Sequence, residues 1–174
     1  MPNTVEVAHH EAGHAVAAFV LNLSIGRKGV RIIPDDDSLG AAYVLHQLRG
    51  NPEFEMSPRM HVRLLDYAVM CLAGDAAQKK FNPRRRFAAQ GDRHCAVDLL
   101  SYISSSNEIL ELQFKIAHLR ARGLVDVRWK EIEAVASALI ERKTLNREEV
   151  RKAFLSTMPL ILAEEAEKFR VPVS

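Results

Sequence analysis

Apolar residues recur at three- and four-residue steps near the start of the chain: Val7, Ala8, Ala12, Ala15, Val16, Phe19, Val20 and Leu23. That spacing predicts a helix. Asn3 is suited to open it, with Glu6 three residues on in the capping-box position. The apolar positions cover most of the circumference, which marks a buried helix reaching about Leu23. Gly26 and Gly29 break the pattern. Residues 30–34 (VRIIP) then read as a short strand, residues 35–40 (DDDSLG) as turn chemistry, and residues 41–46 (AAYVLH) as a second strand forming a hairpin with the first.

The remaining pattern is helical. Ser57 and Pro58 make an N-cap and first-turn pair for a helix reaching about Lys80. A loop follows over residues 81–91. Further helices are predicted over residues 92–104 and 107–122, the second stopped by Gly123. Asp126 is placed to cap a helix ending near Lys143. Asn146 with Glu149 marks another start, Pro159 one more, and the tail VPVS is loose. Trp129, Ile132, Val135, Ala136 and Leu139 form a helical stripe of core type. Neither internal repeats nor low-complexity linkers interrupt the chain. The expectation is a mainly α protein, one domain over residues 1–174, with a small β-hairpin after the first helix.

Composition narrows the function classes. A chain of 174 residues suits one domain with a sizeable core. Its 48% apolar and 26% charged content is that of a folded globular protein. A net charge of +2 is too small to point to nucleic acid. Residues 79–86 (KKFNPRRR) carry five positive charges, yet no aromatic platform or nucleic-acid motif accompanies them. They read as a solvated loop, and no nucleic-acid partner is expected. The apolar run 15–23, interrupted by Asn22, is too short to cross a bilayer, and no basic leader precedes it. Cys71 and Cys95 are too few for a disulfide framework or a four-sulfur metal site. They read as reduced, small core residues, which suggests a cytoplasmic location; with so short an apolar run, no membrane segment is expected.

The chemistry concentrates in HHEAGHAVAAFVL, residues 9–21. His10 and His14 stand at i and i+4, so two imidazoles share one helix face and can meet at one point. Zn2+ favours such nitrogen donors. Glu11 lies about 100° further round the helix. It is therefore beside the metal rather than among its ligands, where it can take a proton from the attacking water. Three unpaired titratable groups on the most apolar helix would each cost roughly 1–3 kcal/mol in desolvation, a cost that a metal removes. A catalytic zinc needs a third protein ligand. The extended motif HExxHxxGxxH is absent, because Ala17 and Val20 occupy its last two fixed positions. The candidates are Asp35, Asp36, Asp37, Asp92, His94 and Asp98. His9, His46, His61 and His118 have no evident partner and read as surface or core residues.

Five segments together resemble one family. AHHEAGHAVAAFVL resembles the metal helix of the FtsH family of ATP-dependent zinc proteases, and VRIIPDDDSLGAAYVL the strand–turn–strand after it. CLAGDAAQKKF, GDRHCAVDLL and IEAVASALIERKTLNREEV are similar to later segments of that family's peptidase domain, in order, over about residues 5–155. The resemblance implies an FtsH-peptidase-like fold and a zinc metallopeptidase of HExxH type. It implies His10, His14 and Asp92 as ligands and Glu11 as general base. A helix-start position on the stripe of Ala96, Leu99 and Ile103 also suits Asp92, since a helix N-terminus favours a carboxylate. His94 and Asp98 remain the alternatives, and Asp35 to Asp37 read as plain turn residues.

The strand containing Gly40, Ala41 and Ala42 is a candidate for holding an extended peptide by backbone pairing if it lies at a sheet edge. A purely structural hairpin explains it equally well. The sequence contains no G-x-x-x-x-G-K-[ST] phosphate loop, and Gln78 and Lys79 replace an acidic pair of the family. The expected partners are a peptide or unfolded protein substrate, with a separate ATPase or a homo-oligomer left open. The alternative function is a non-catalytic zinc-binding regulatory or interaction domain. Glu11 argues against that alternative, because a structural zinc needs no base.

Overall fold

The computed structural model describes residues 3–33, 41–44, 57–84 and 90–158. It is mainly helical with a small sheet, as the hydrophobic pattern predicts. Gly40, the turn before it and the segment beginning at Pro159 lie outside the described residues.

Helix α1 spans Thr4–Val20, and the Asn3 side chain accepts from the Val5 amide at 3.2 Å. The Glu6 carboxylate accepts from Asn82 at 2.6 Å, which ties the start of α1 to the end of the next helix. The helix stops before Leu23, because Asn22 turns left-handed at φ 53°. Asparagine tolerates that region better than most residues.

Strand β1 spans Ile25–Arg31, so the two glycines expected to break the pattern lie inside it. Gly29 sits at φ +68°, and a Cβ there would lie 2.9 Å from the Leu145 carbonyl carbon. The register shifts between Ile25 and Val30, the irregularity such a glycine permits. Strand β2, Ala41–Val44, pairs antiparallel with β1 through Val30↔Ala42 and Arg31↔Ala41, so the expected hairpin forms. A two-residue strand, β3 (Thr144–Leu145), pairs on the other side of β1. Among the described residues the order is β2-β1-β3, which leaves β2 at an edge.

Helix α2 spans Pro58–Phe81, with the Ser57 side chain accepting from Met60 N at 3.2 Å. Helix α3 is Gln90–Ser101, beginning and ending earlier than the pattern suggests. Helix α4 is Asn107–Val127 and runs straight through Gly123. A Cβ there would meet nothing within 4 Å, while its neighbours Ala121 and Val125 are buried. Packing therefore outweighs a glycine penalty of about 1 kcal/mol. Asp126 consequently lies inside α4 and pairs with Lys80 at 2.6 Å instead of capping the next helix. That helix, α5 (Trp129–Arg142), has no side-chain cap. Helix α6, Arg147–Leu155, opens with the expected Asn146–Glu149 capping box.

The core is built around α1, which packs against α2, α5 and β1, while α2 also meets α3 and α4. Ala8, Ala12, Ala15, Val16, Ala17 and Ala18 are wholly buried, as are Ile132, Val135, Ala136 and Leu139 of the α5 stripe. A Cβ on Gly13 would lie 2.6 Å from the Ala73 carbonyl oxygen and 2.8 Å from Ala77 Cβ. Gly13 thus lets the backbone of α2 pass directly over the histidine helix. Among the described residues, no helix is long and apolar enough to cross a membrane.

Candidate metal centre

The close crossing of α1 and α2 presents both histidines of α1 to the first turn of α3. His10 Nε2 lies 3.0 Å and His14 Nε2 3.2 Å from the same Asp92 oxygen, Oδ2. The two Nε2 atoms are 3.1 Å apart, and the rings stand nearly perpendicular, at 87°. Three donor atoms from two helices therefore face one point. His94 and Asp98 do not join them: they pair with each other at 3.5 Å, with side chains 80% and 63% exposed.

The tautomer of His14 follows from its surroundings. Its Nδ1 lies 2.9 Å from the Met70 carbonyl oxygen. A carbonyl only accepts, so Nδ1 carries the proton and Nε2 is left as a bare lone pair in the neutral ring. That lone pair points at a second imidazole nitrogen and a carboxylate oxygen. Asp92 Oδ2 is buried and, among the described residues, has no partner other than the two imidazole nitrogens within 3.2 Å. Such a cluster of acceptors needs a cation at its centre, either a proton or a metal. With a proton, burial works against a charged His14, but Asp92, the nearby Glu11 charge and the Met70 carbonyl hold its pKa up at about 9. Burial likewise works against a charged Asp92, yet His14 and the bonds from both rings hold its carboxyl below the usual range. With a metal, the same three atoms form the set that a tetrahedral zinc site takes from the protein.

The site also contains a residue that periodicity alone did not single out. A Cβ on Gly74 would lie 2.6 Å from His14 Cε1 and 2.9 Å from His10 Cε1, and would collide with His14 Nε2. Only a glycine leaves room for the two rings beneath α2. The available signal was a glycine inside a long helix, where it costs about 1 kcal/mol without a compensating reason. The Met70 carbonyl had no signal in the sequence at all, since it is a backbone group.

Glu11 is buried beside this cluster, with 5% exposure. His9, one residue before the triad, points away from it. Its Nδ1 lies 2.8 Å from the Val5 carbonyl, and its ring stacks on Phe81 with centroids 3.9 Å apart. Next to Asp92 opens a cavity of about 280 Å³, lined by Leu72, Asp75, Lys79, Phe114 and His118 among others. Strand β2 packs beside α1. The basic stretch after it in sequence is partly spoken for: Lys79 pairs with Asp75 at 2.7 Å, and Lys80 with Asp126.

No family model matches the chain. It is similar to the ATP-dependent zinc metalloprotease FTSH 9, chloroplastic/mitochondrial, of Oryza sativa subsp. japonica. The two are 26% identical over 171 residues, covering 83% of this chain and 21% of that protein. It is also 26% identical over 188 residues to the ATP-dependent zinc metalloprotease FTSH 11, chloroplastic/mitochondrial, of Arabidopsis thaliana, covering 93% of this chain and 22% of that protein. The chain thus spans about a fifth of the length of these curated relatives. Over most of its own length it is distantly similar to FtsH zinc metalloproteases.

Proposed function

We propose that the protein is a zinc-dependent metallopeptidase, with His10, His14 and Asp92 holding Zn2+ and Glu11 as general base. The observation that carries this reading is the convergence of three donor atoms around an otherwise unpartnered carboxylate oxygen. When bound, zinc supplies a Lewis acid that polarises a carbonyl oxygen and makes water a better nucleophile. Met70 fixes the His14 ring through its carbonyl, so Nε2 is always the atom presented. Glu11 accepts the proton of the attacking water and passes it to the leaving amine as the peptide C–N bond breaks.

The substrate is a peptide or unfolded protein strand. The edge strand β2, with Ala41 and Ala42, offers it backbone pairing. The cavity beside Asp92 takes one of its side chains. An ATPase that unfolds and delivers the substrate belongs to this reading as a separate partner or module, in line with the ATP-dependent relatives.

The test is cleavage of a fluorescence-quenched peptide library by zinc-loaded protein, beside Glu11→Gln. The parent cleaves, and the variant keeps its zinc while losing about 10²-fold or more in rate. Equal cleavage by both contradicts the assignment of Glu11. A parent that holds zinc but cleaves nothing supports the non-catalytic zinc-binding alternative.

A further inference from the structure

Cys71 of α2 and Cys95 of α3 were expected to be reduced, small core residues, and their Sγ atoms lie 3.2 Å apart. Neither is in a disulfide. A disulfide bond is about 2.05 Å long, so the two sulfurs need to close by only about 1.2 Å. They differ in access: Cys71 is buried and Cys95 is only half-buried. The Cys71 S–H donates to the Cys95 sulfur, so Cys95 is the acceptor sulfur and also the one that a small oxidant reaches first. The pair is also well placed to matter. Cys95 stands three residues after Asp92 on α3, and Cys71 three residues before Gly74 on α2.

We propose that Cys71 and Cys95 form a peroxide-oxidisable dithiol site that converts reversibly to an intramolecular disulfide. Cys95, having released its proton to solvent, attacks one oxygen of hydrogen peroxide. The O–O bond breaks, and the departing hydroxide takes up a proton and leaves as water. Cys95 is then a sulfenic acid. The Cys71 sulfur attacks the Cys95 sulfur and displaces hydroxide, which takes the Cys71 proton and leaves as a second water. Two thiols and one peroxide give one disulfide and two waters, with two electrons passing from sulfur to oxygen. The bridge pins α3 to α2 one turn after Asp92 and thereby fixes that carboxylate against the two histidines. The dithiol chemistry stands without the zinc reading, whereas this last consequence rests on it.

The experiment treats the reduced full chain with hydrogen peroxide, alkylates it under denaturing conditions and measures its intact mass. The chain has two cysteines, so a bridged product is unambiguous. The expected product is lighter by two hydrogens, takes no alkylating reagent, and returns to two alkylated thiols after a dithiol reductant. Cys71→Ser is expected to accumulate a sulfenic acid at Cys95, captured by a cyclic dione, while Cys95→Ser leaves Cys71 unmodified. Two freely alkylated thiols after treatment overturn the proposal. So do two or three added oxygens on Cys95 without a bridge, or a disulfide that joins two chains. The oxidised protein is also expected to release zinc to a chelator severalfold more slowly than the reduced one. Equal release rates overturn the link to the metal centre, and the mass measurement still decides the disulfide.

Discussion

Gly74→Ala isolates the fit between α2 and the two imidazoles. The new Cβ starts 2.6 Å from His14 Cε1 and 2.9 Å from His10 Cε1. Ordinary contact begins near 3.4 Å, so the His14 ring must retreat by at least about 0.8 Å, more for the nearer Nε2, which exceeds the roughly 0.5 Å within which a functional site holds its geometry. The ring has little freedom to do so, since it is buried and anchored through Nδ1 to the Met70 carbonyl. Two opposed terms act on stability. Alanine is favoured over glycine in a helix interior by about 1 kcal/mol. Overpacking costs about 1–3 kcal/mol. The fold is therefore destabilised by no more than about 2 kcal/mol and survives. Zinc binding has no such compensation, and displacing a ligand's orientation costs about 10- to 100-fold in affinity. Competition titration against a chromophoric chelator reads the affinity, and urea denaturation of the metal-free protein reads the stability. A variant that binds zinc within twofold of the parent refutes the claim that Gly74 shapes the site.

Other substitutions probe separate parts of the account. Gly13→Ala sets a Cβ against the Ala73 carbonyl oxygen at 2.6 Å, where only backbone can yield. It should destabilise the metal-free protein by about 2 kcal/mol in denaturant melts, the upper end of overpacking less the helix preference for alanine. Asn146→Ala removes the capping box of α6 and should cost about 1 kcal/mol by the same assay, with zinc content unchanged. His94→Ala and Asp98→Ala change exposed side chains and should leave zinc stoichiometry intact. In the metal-free protein His14 titrates near 9, above its ordinary value of 6.5. The stability from its proton is full below pH 6.5 and is lost as pH rises through about 9. Zinc must displace that proton, so its apparent affinity should rise between pH 7 and 8 by about tenfold per proton released. A flat profile over that interval argues against a protonated His14.

What the sequence showed, and what it hid, divide along the range of the interactions involved. Asn146–Glu149, Ser57–Pro58 and the stripe of α5 were readable because their partners are a few residues away. The i, i+4 spacing of His10 and His14 was readable for the same reason. Gly123 misled because local propensity yields to the burial of Ala121 and Val125 on either side. Gly29 misled because β1 takes a glycine at positive φ to admit the Leu145 carbonyl, a partner far along the chain. The two-residue β3 is too short to have a period. Asp92 was singled out by resemblance and by its place at a helix start, but its meeting with both Nε2 atoms is a tertiary fact. The contact of Cys71 with Cys95, across 24 positions, had no local signal whatever.

The central claim is that His10, His14 and Asp92 hold one metal ion, and it is tested most directly by metal content. Purified parent and Asp92→Ala are analysed side by side by elemental mass spectrometry after zinc loading and desalting. The account predicts about one zinc per chain in the parent and a clear loss in the variant. Zinc retained at full stoichiometry in Asp92→Ala, or a parent that takes up none, contradicts it.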